Sequence, residues 1–101
     1  MYTKKKRFEW DDAKARQNVH KHGVGFREAT TVFHDAGGLV LLNAGHSNGE
    51  ERYWLIGESY EGRLLVVVFC IRMPAIVRII SARAATAREA KLYEEDQGIP
   101  F

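Results

Sequence analysis

Hydrophobic and polar positions change period midway along the chain, and the change predicts helices first and strands second. Ala13, Ala15 and Val19 give a mostly polar helix from about Asp12 to Lys21, with Asp11 or Asp12 as its N-cap. Gly23 suits the position after its last turn, and Lys21 and His22 complement the negative end of the helix dipole. Phe26, Ala29, Thr30 and Phe33 fall at i, i+3, i+4 and i+7, which predicts a second helix over Phe26 to Phe33. Asp35-Ala36-Gly37-Gly38 ends it. Strand-type patterns follow: Leu39 to Asn43, Arg52 to Ser59, Arg63 to Arg72 and Ile76 to Arg83. A polar loop over Ala44 to Gly49, the turn Tyr60-Glu61-Gly62 and the turn Met73-Pro74-Ala75 separate them. Thr86 and Glu89 form a capping-box pattern for a last helix reaching about Asp96. Residues 1–7 read as a basic arm anchored by Phe8 and Trp10, and 97–101 as a tail.

Two helices, four sequential strands with short connections and one more helix predict an α+β fold. The strands read as a four-stranded antiparallel meander, with helices from the ends of the sequence covering one face. The length of 101 residues leaves room for a single domain, 1–101. The lone cysteine, Cys70, rules out an intramolecular disulfide scaffold and reads as a small buried residue of the most apolar strand. The apolar run Leu64 to Ile71 is far short of the roughly 20 residues that span a bilayer. The basic start leads into Phe8-Glu9-Trp10-Asp11-Asp12 rather than a signal-peptide core, so the expectation is a cytoplasmic protein with no membrane partner.

Candidate chemistry is sparse. The sequence contains no nucleophile elbow, P-loop, dinucleotide fingerprint or His-Glu-x-x-His motif. His20, His22, His34 and His46 lack a recognised metal-ligand spacing, so no metal and no cofactor are expected. The arginines say more. Arg52, Arg63, Arg72, Arg78 and Arg83 lie on or at the ends of strands, and arginine forks onto phosphate while stacking on bases. Odd spacing sends Arg78 and Arg83, and likewise Arg63 and Arg72, to opposite faces of regular strands; a shared face requires a bulge or re-aimed strand ends. Ordinary solvated arginines in local ion pairs are the competing explanation. The net charge of +2 conceals a segregation, with arginines on strands and acidic residues in helices and loops, so a local basic face coexists with near-neutrality.

A combination of short segments resembles the BrnT family of type II toxin–antitoxin toxins. It comprises Phe8-Glu9-Trp10-Asp11, Lys14, Asn18, Lys21-His22-Gly23-Val24, Phe26, Glu28-Ala29, Val32-Phe33, Asp35, His46, Gly49-Glu50-Glu51-Arg52, Ile56-Gly57, Leu65-Val66-Val67, Arg72 and Arg78-Ile79-Ile80-Ser81-Ala82-Arg83, then Ala85, Glu89 and Tyr93. The chain departs from the family pattern at Ala36, at Met73-Pro74 and at Lys91.

The resemblance implies a RelE-like fold and a ribonuclease that works without a metal and arrests translation. It implies neutralisation by a BrnA-type antitoxin with a ribbon-helix-helix DNA-binding domain, in a heterotetramer that binds operator DNA through the antitoxin. For such chemistry the ribose 2′-OH attacks the adjacent phosphate, and the protein stabilises charge and moves protons. On this expectation Arg72 and Arg83 hold the phosphate, assisted by Arg78 or Arg63. His46 or His22 acts as acid or base, with Glu50 as an alternative base. Arg63, Lys21, His22 and Arg52 bind RNA, and Tyr53 or Trp54 stacks a base. The rival expectation is a non-catalytic nucleic-acid or protein binding module with a RelE/ParE-like fold, because a fold hosts several functions.

Overall fold

The structure, a computed structural model, describes residues 7–43, 51–72 and 75–97. The elements in order are β1 (Arg7–Glu9), α1 (Asp12–His22), α2 (Phe26–Thr31) with a 3-10 turn over Val32–His34, β2 (Leu39–Asn43), β3 (Arg52–Glu58), β4 (Leu64–Arg72), β5 (Ile76–Ala84) and α3 (Ala87–Gln97). The α+β class stands. Among the described residues the sheet is five-stranded and mixed, in the order β1-β5-β4-β3-β2.

That order corrects the expected four-stranded antiparallel sheet. Arg7–Glu9 is a strand parallel to β5, with Arg7 opposite Ile76, Phe8 opposite Val77 and Glu9 opposite Arg78. A three-residue strand gives almost no periodic signal, and its partner lies across most of the chain without a hairpin turn to announce it. Phe8 turns inward against Phe33, with ring centroids 5.2 Å apart, while Arg7 and Glu9 point to the other face. Arg7 therefore belongs to the sheet, and Gln97, expected in the tail, closes α3 and donates to the Gly37 carbonyl. The second helix also ends earlier than expected, its last turn tightening into the 3-10 geometry.

The predicted caps form. The Asp11 carboxylate accepts the Lys14 N–H at 3.0 Å, and Gly23 adopts φ 70°, donating its N–H to Val19. Only a residue without a Cβ takes that left-handed position without strain.

α1, α2 and the 3-10 turn pack one face of the sheet, whereas α3, expected on the same face, is tied through Glu89 to Arg83 on the other. Val24, Phe26, Ala29 and Val32 from the helical layer meet Leu55, Leu65, Val67, Phe69, Val77, Ile79 and Ala82. Asn18 is the one polar side chain of α1 buried beside this core. It donates to the carbonyls of Val24 and Ala82, both at 2.8 Å, and accepts the Ala82 N–H at 3.1 Å. Beyond Glu9, where β1 ends, the side-chain amide thus does for β5 what the next strand would have done.

Candidate nucleic-acid interface

The opposite face of the sheet is built by a β-bulge. Val68 of β4 pairs with Ser81 of β5, but the next residue, Phe69, pairs with Ile79, so Ile80 is the extra residue. The odd spacing of Arg78 and Arg83 is thereby cancelled. Arg78 lies opposite Cys70 and Arg83 opposite Val66, four residues apart on β4 and so on one face. Arg72 shares that face by alternation from Cys70. Trp54, opposite Val68, shares it too, together with Arg52 two residues before. Among the described residues, Arg52, Arg72, Arg78 and Arg83 therefore project from the face turned away from α1 and α2, with Arg7 at its β1 edge. Cys70 is buried among them, 2% exposed, as the sequence suggested.

Each arginine has a different environment. Glu9 places Oε2 at 2.9 Å from Arg78 Nη1 and 3.6 Å from Arg72 Nε, one carboxylate between two guanidiniums. Arg83 is held more completely: Nη1 and Nη2 each donate to Glu89 at 2.8 Å, and Nη1 reaches the Ala84 carbonyl at 3.2 Å. The Arg83 guanidinium also lies over the Trp54 ring, 5.6 Å from its centroid. Hydrogen bonds from Arg83 outweigh burial and, with the Thr86 N–H, pull the Glu89 carboxyl from 4.5 to about 2, while the same pair raises Arg83. Glu89 meanwhile completes the capping box with Thr86. One side chain thus starts α3 and ties it to β5. Arg52 Nε and the Trp54 indole N–H are shielded and have no partner among the described residues.

Other expected site residues lie elsewhere. Arg63 precedes β4 on the helical side, where its Nε donates to Glu28 at 2.9 Å and its Nη2 reaches both Glu28 and the Gly23 carbonyl. The Arg63 hydrogen bonds outweigh burial and hold the Glu28 carboxyl below the usual carboxylate range. Lys21 and His22 are exposed at the end of α1 and line a cleft of about 240 Å³ with Lys14, Gln17, Ile80 and Ser81. Tyr53 is on the helical face, its ring stacked 5.5 Å from Phe69, so only Trp54 of the two strand aromatics accompanies the arginines. His46 and Glu50, and the expected Met73-Pro74 turn residues, lie outside the described residues.

Two features escaped the sequence reading. Glu9 sits on an unrecognised strand; the alternation Arg7-Phe8-Glu9-Trp10 was the available signal. Asp35 accepts the Tyr93 hydroxyl at 2.6 Å and the Glu58 and Gly37 N–H groups at 2.8 and 2.9 Å. Burial would raise its carboxyl, but these donors outweigh it, and the Tyr93 hydroxyl is pushed up to about 12. This is a tie between the end of the helical layer, β3 and α3. On the helical face an apolar groove of about 440 Å³ runs past Phe33, Val40, Tyr53, Phe69 and Ile71, bordered by the exposed edge strand β2. No helix among the described residues is long and apolar enough to cross a membrane.

Comparisons with known proteins agree with this architecture. The 1.1 Å crystal structure of the Brucella abortus ribonuclease toxin BrnT matches with a TM-score of 0.62 and 23% identity, covering 81% of this chain and 99% of that one. That similarity concerns the fold. No curated protein matches. A family model described as the ribonuclease toxin BrnT of type II toxin–antitoxin systems matches residues 10–89, which include β2 to β5 and so the strands that carry Arg52, Arg72, Arg78 and Arg83. The chain belongs to the BrnT family of ribonuclease toxins of type II toxin–antitoxin systems.

Proposed function

We propose that this toxin cleaves RNA without a metal ion, arresting translation, and that the arginine face of the sheet is where it does so. The observation that carries the reading is the bulge at Ile80, which gathers Arg52, Arg72, Arg78 and Arg83 on one face. The ribose 2′-OH attacks the neighbouring phosphate, and the 5′ oxygen leaves. Cleavage of this kind requires stabilisation of the negative charge that grows on the phosphate, and fixed guanidiniums supply it.

Among the four, Arg72 and Arg78 suit the phosphate best. Arg78 commits Nη1 to Glu9, whereas Arg83 commits both terminal nitrogens to Glu89. Arg83 then shapes the face by holding α3 and covering Trp54, and Arg52 extends the cationic surface along β3. Lys21 and His22 flank the β5 edge as further RNA contacts. Arg63, paired with Glu28, contributes to stability first. Proton transfer is assigned by side-chain chemistry to His46 or Glu50.

A type II toxin has an antitoxin partner. We assign that role to a BrnA-like ribbon-helix-helix protein, in a heterotetramer that binds operator DNA through the antitoxin and resides in the cytoplasm. Mass measurement of the co-purified pair, with and without operator DNA, checks this assembly.

The test of the enzymatic reading incubates purified full chain with naked RNA in the presence and absence of EDTA. Cleavage that survives EDTA and falls at least about 100-fold in Arg72→Ala and Arg78→Ala is the expected result. Tight RNA binding without cleavage would make the chain a binding module instead.

A further inference from the structure

We infer that Glu9 is a positioning residue for RNA cleavage, holding the Arg72 and Arg78 guanidiniums at the spacing that grips a phosphodiester. This rests on the arginine face being the cleavage site.

The first support is geometric. Glu9 lies directly opposite Arg78 in the parallel β1–β5 ladder, so the backbone register sets where its carboxylate stands. Its neighbours lock the strand: Phe8 packs edge-on against Phe33, and the Trp10 ring sits 6.0 Å from Phe26. The carboxylate is anchored by the core while its tip faces solvent. One oxygen, Oε2, meets both Arg78 Nη1 at 2.9 Å and Arg72 Nε at 3.6 Å.

The second support is electrostatic. Two guanidiniums side by side repel, and long arginine side chains left alone spread into solvent. A carboxylate between them turns two mobile cations into a unit with one net positive charge. The side chains of Arg72, Arg78 and Glu9 are 46%, 32% and 36% exposed, so the unit remains open to an incoming phosphate. Such pre-organisation lowers the barrier to reaction more than it strengthens ground-state binding. A carboxylate in a phosphate site weakens overall attraction, and its advantage is geometry.

A divergence between chemistry and binding follows. Glu9→Gln removes one negative charge from the face and the ionic contact that Glu9 makes to each guanidinium. RNA affinity should be unchanged or tighter, and steeper in its salt dependence, while kcat falls about tenfold or more. Glu9→Asp, which keeps the charge on a shorter stem, should recover part of kcat.

The experiment measures kcat, KM, direct RNA affinity and thermal midpoint for wild type, Glu9→Gln, Glu9→Asp, Arg72→Ala and Arg78→Ala. Loss of kcat with retained or tighter binding in Glu9→Gln, and partial rescue in Glu9→Asp, is the expected pattern. Wild-type kcat in Glu9→Gln overturns the inference. So does a parallel loss of RNA binding and thermal midpoint, which would make Glu9 merely structural. Disappearance of a limb of the pH–rate profile in Glu9→Gln would make it a proton acceptor and equally overturn a positioning role. Full activity in both arginine variants would instead remove the arginine face as the site, a failure distinct from that of Glu9.

Discussion

At the scale of single residues, short polar side chains do work that a strand or helix would otherwise do. Asn18 satisfies both the N–H and the C=O of Ala82 and a second carbonyl at Val24, all in a buried setting. Asn18→Ala leaves these groups unpaired away from water, so unfolding in urea should show a loss of about 3 kcal/mol. Asn18→Asp should not rescue it, because two of the three partners are acceptors. Glu89 carries a different load. Its folded pKa of about 2 lies below its ordinary 4.5, so the native state binds fewer protons than the unfolded chain across that interval. The stabilisation is present above pH 4.5 and lost as the pH falls toward 2. Acid titration of the thermal midpoint should therefore show a shallower decline in Glu89→Gln than in wild type, from a lower starting point at neutral pH.

Among the elements, close packing seats β3 against the helical layer, and the bulge in β5 decides what the arginine face is. A Cβ on Gly57 would meet Val32 Cγ1 at 2.8 Å and Asp35 Oδ2 at 3.2 Å. Gly57→Ala must push the 3-10 turn or the Asp35 carboxylate away from β3. A destabilisation of about 1–3 kcal/mol is expected by thermal or urea unfolding. The caps at Asp11, Gly23 and Thr86/Glu89 were legible because each is a local exchange of hydrogen bonds within a few residues. The bulge was not. Ile79 and Ile80 are alike in shape and hydrophobicity, and nothing local says which of them β4 will skip. The strand β1 lacks a local signal for a related reason, since its strand partner among the described residues lies near the other end of the sequence.

For the whole molecule, the sheet separates two surfaces: α1, α2 and an apolar groove on one side, and on the other the arginines, one of which, Arg83, holds α3 through Glu89. A net charge of +2 is compatible with a cationic face because arginines outnumber the carboxylates of Glu9 and Glu89 that pair with them there. RNA affinity should fall as salt rises. If Arg52 neutralises one phosphate, Arg52→Ala should reduce the slope of log affinity against log salt by about 0.7, the value for single strands. The same variant should leave the thermal midpoint nearly unchanged, because its guanidinium makes no ion pair among the described residues.

The amino-acid pattern alone determined the helices, strands β2 to β5, their caps, the buried Cys70 and an excess of strand arginines. These depend on period, capping and composition, which act over a few residues. Only the tertiary structure decided that Arg52, Arg72, Arg78 and Arg83 stand together while Arg63 turns to Glu28. It also placed Glu9 between two of them. Those outcomes depend on register between strands far apart in sequence, and one unpaired residue, Ile80, is enough to move an arginine from one face of the sheet to the other.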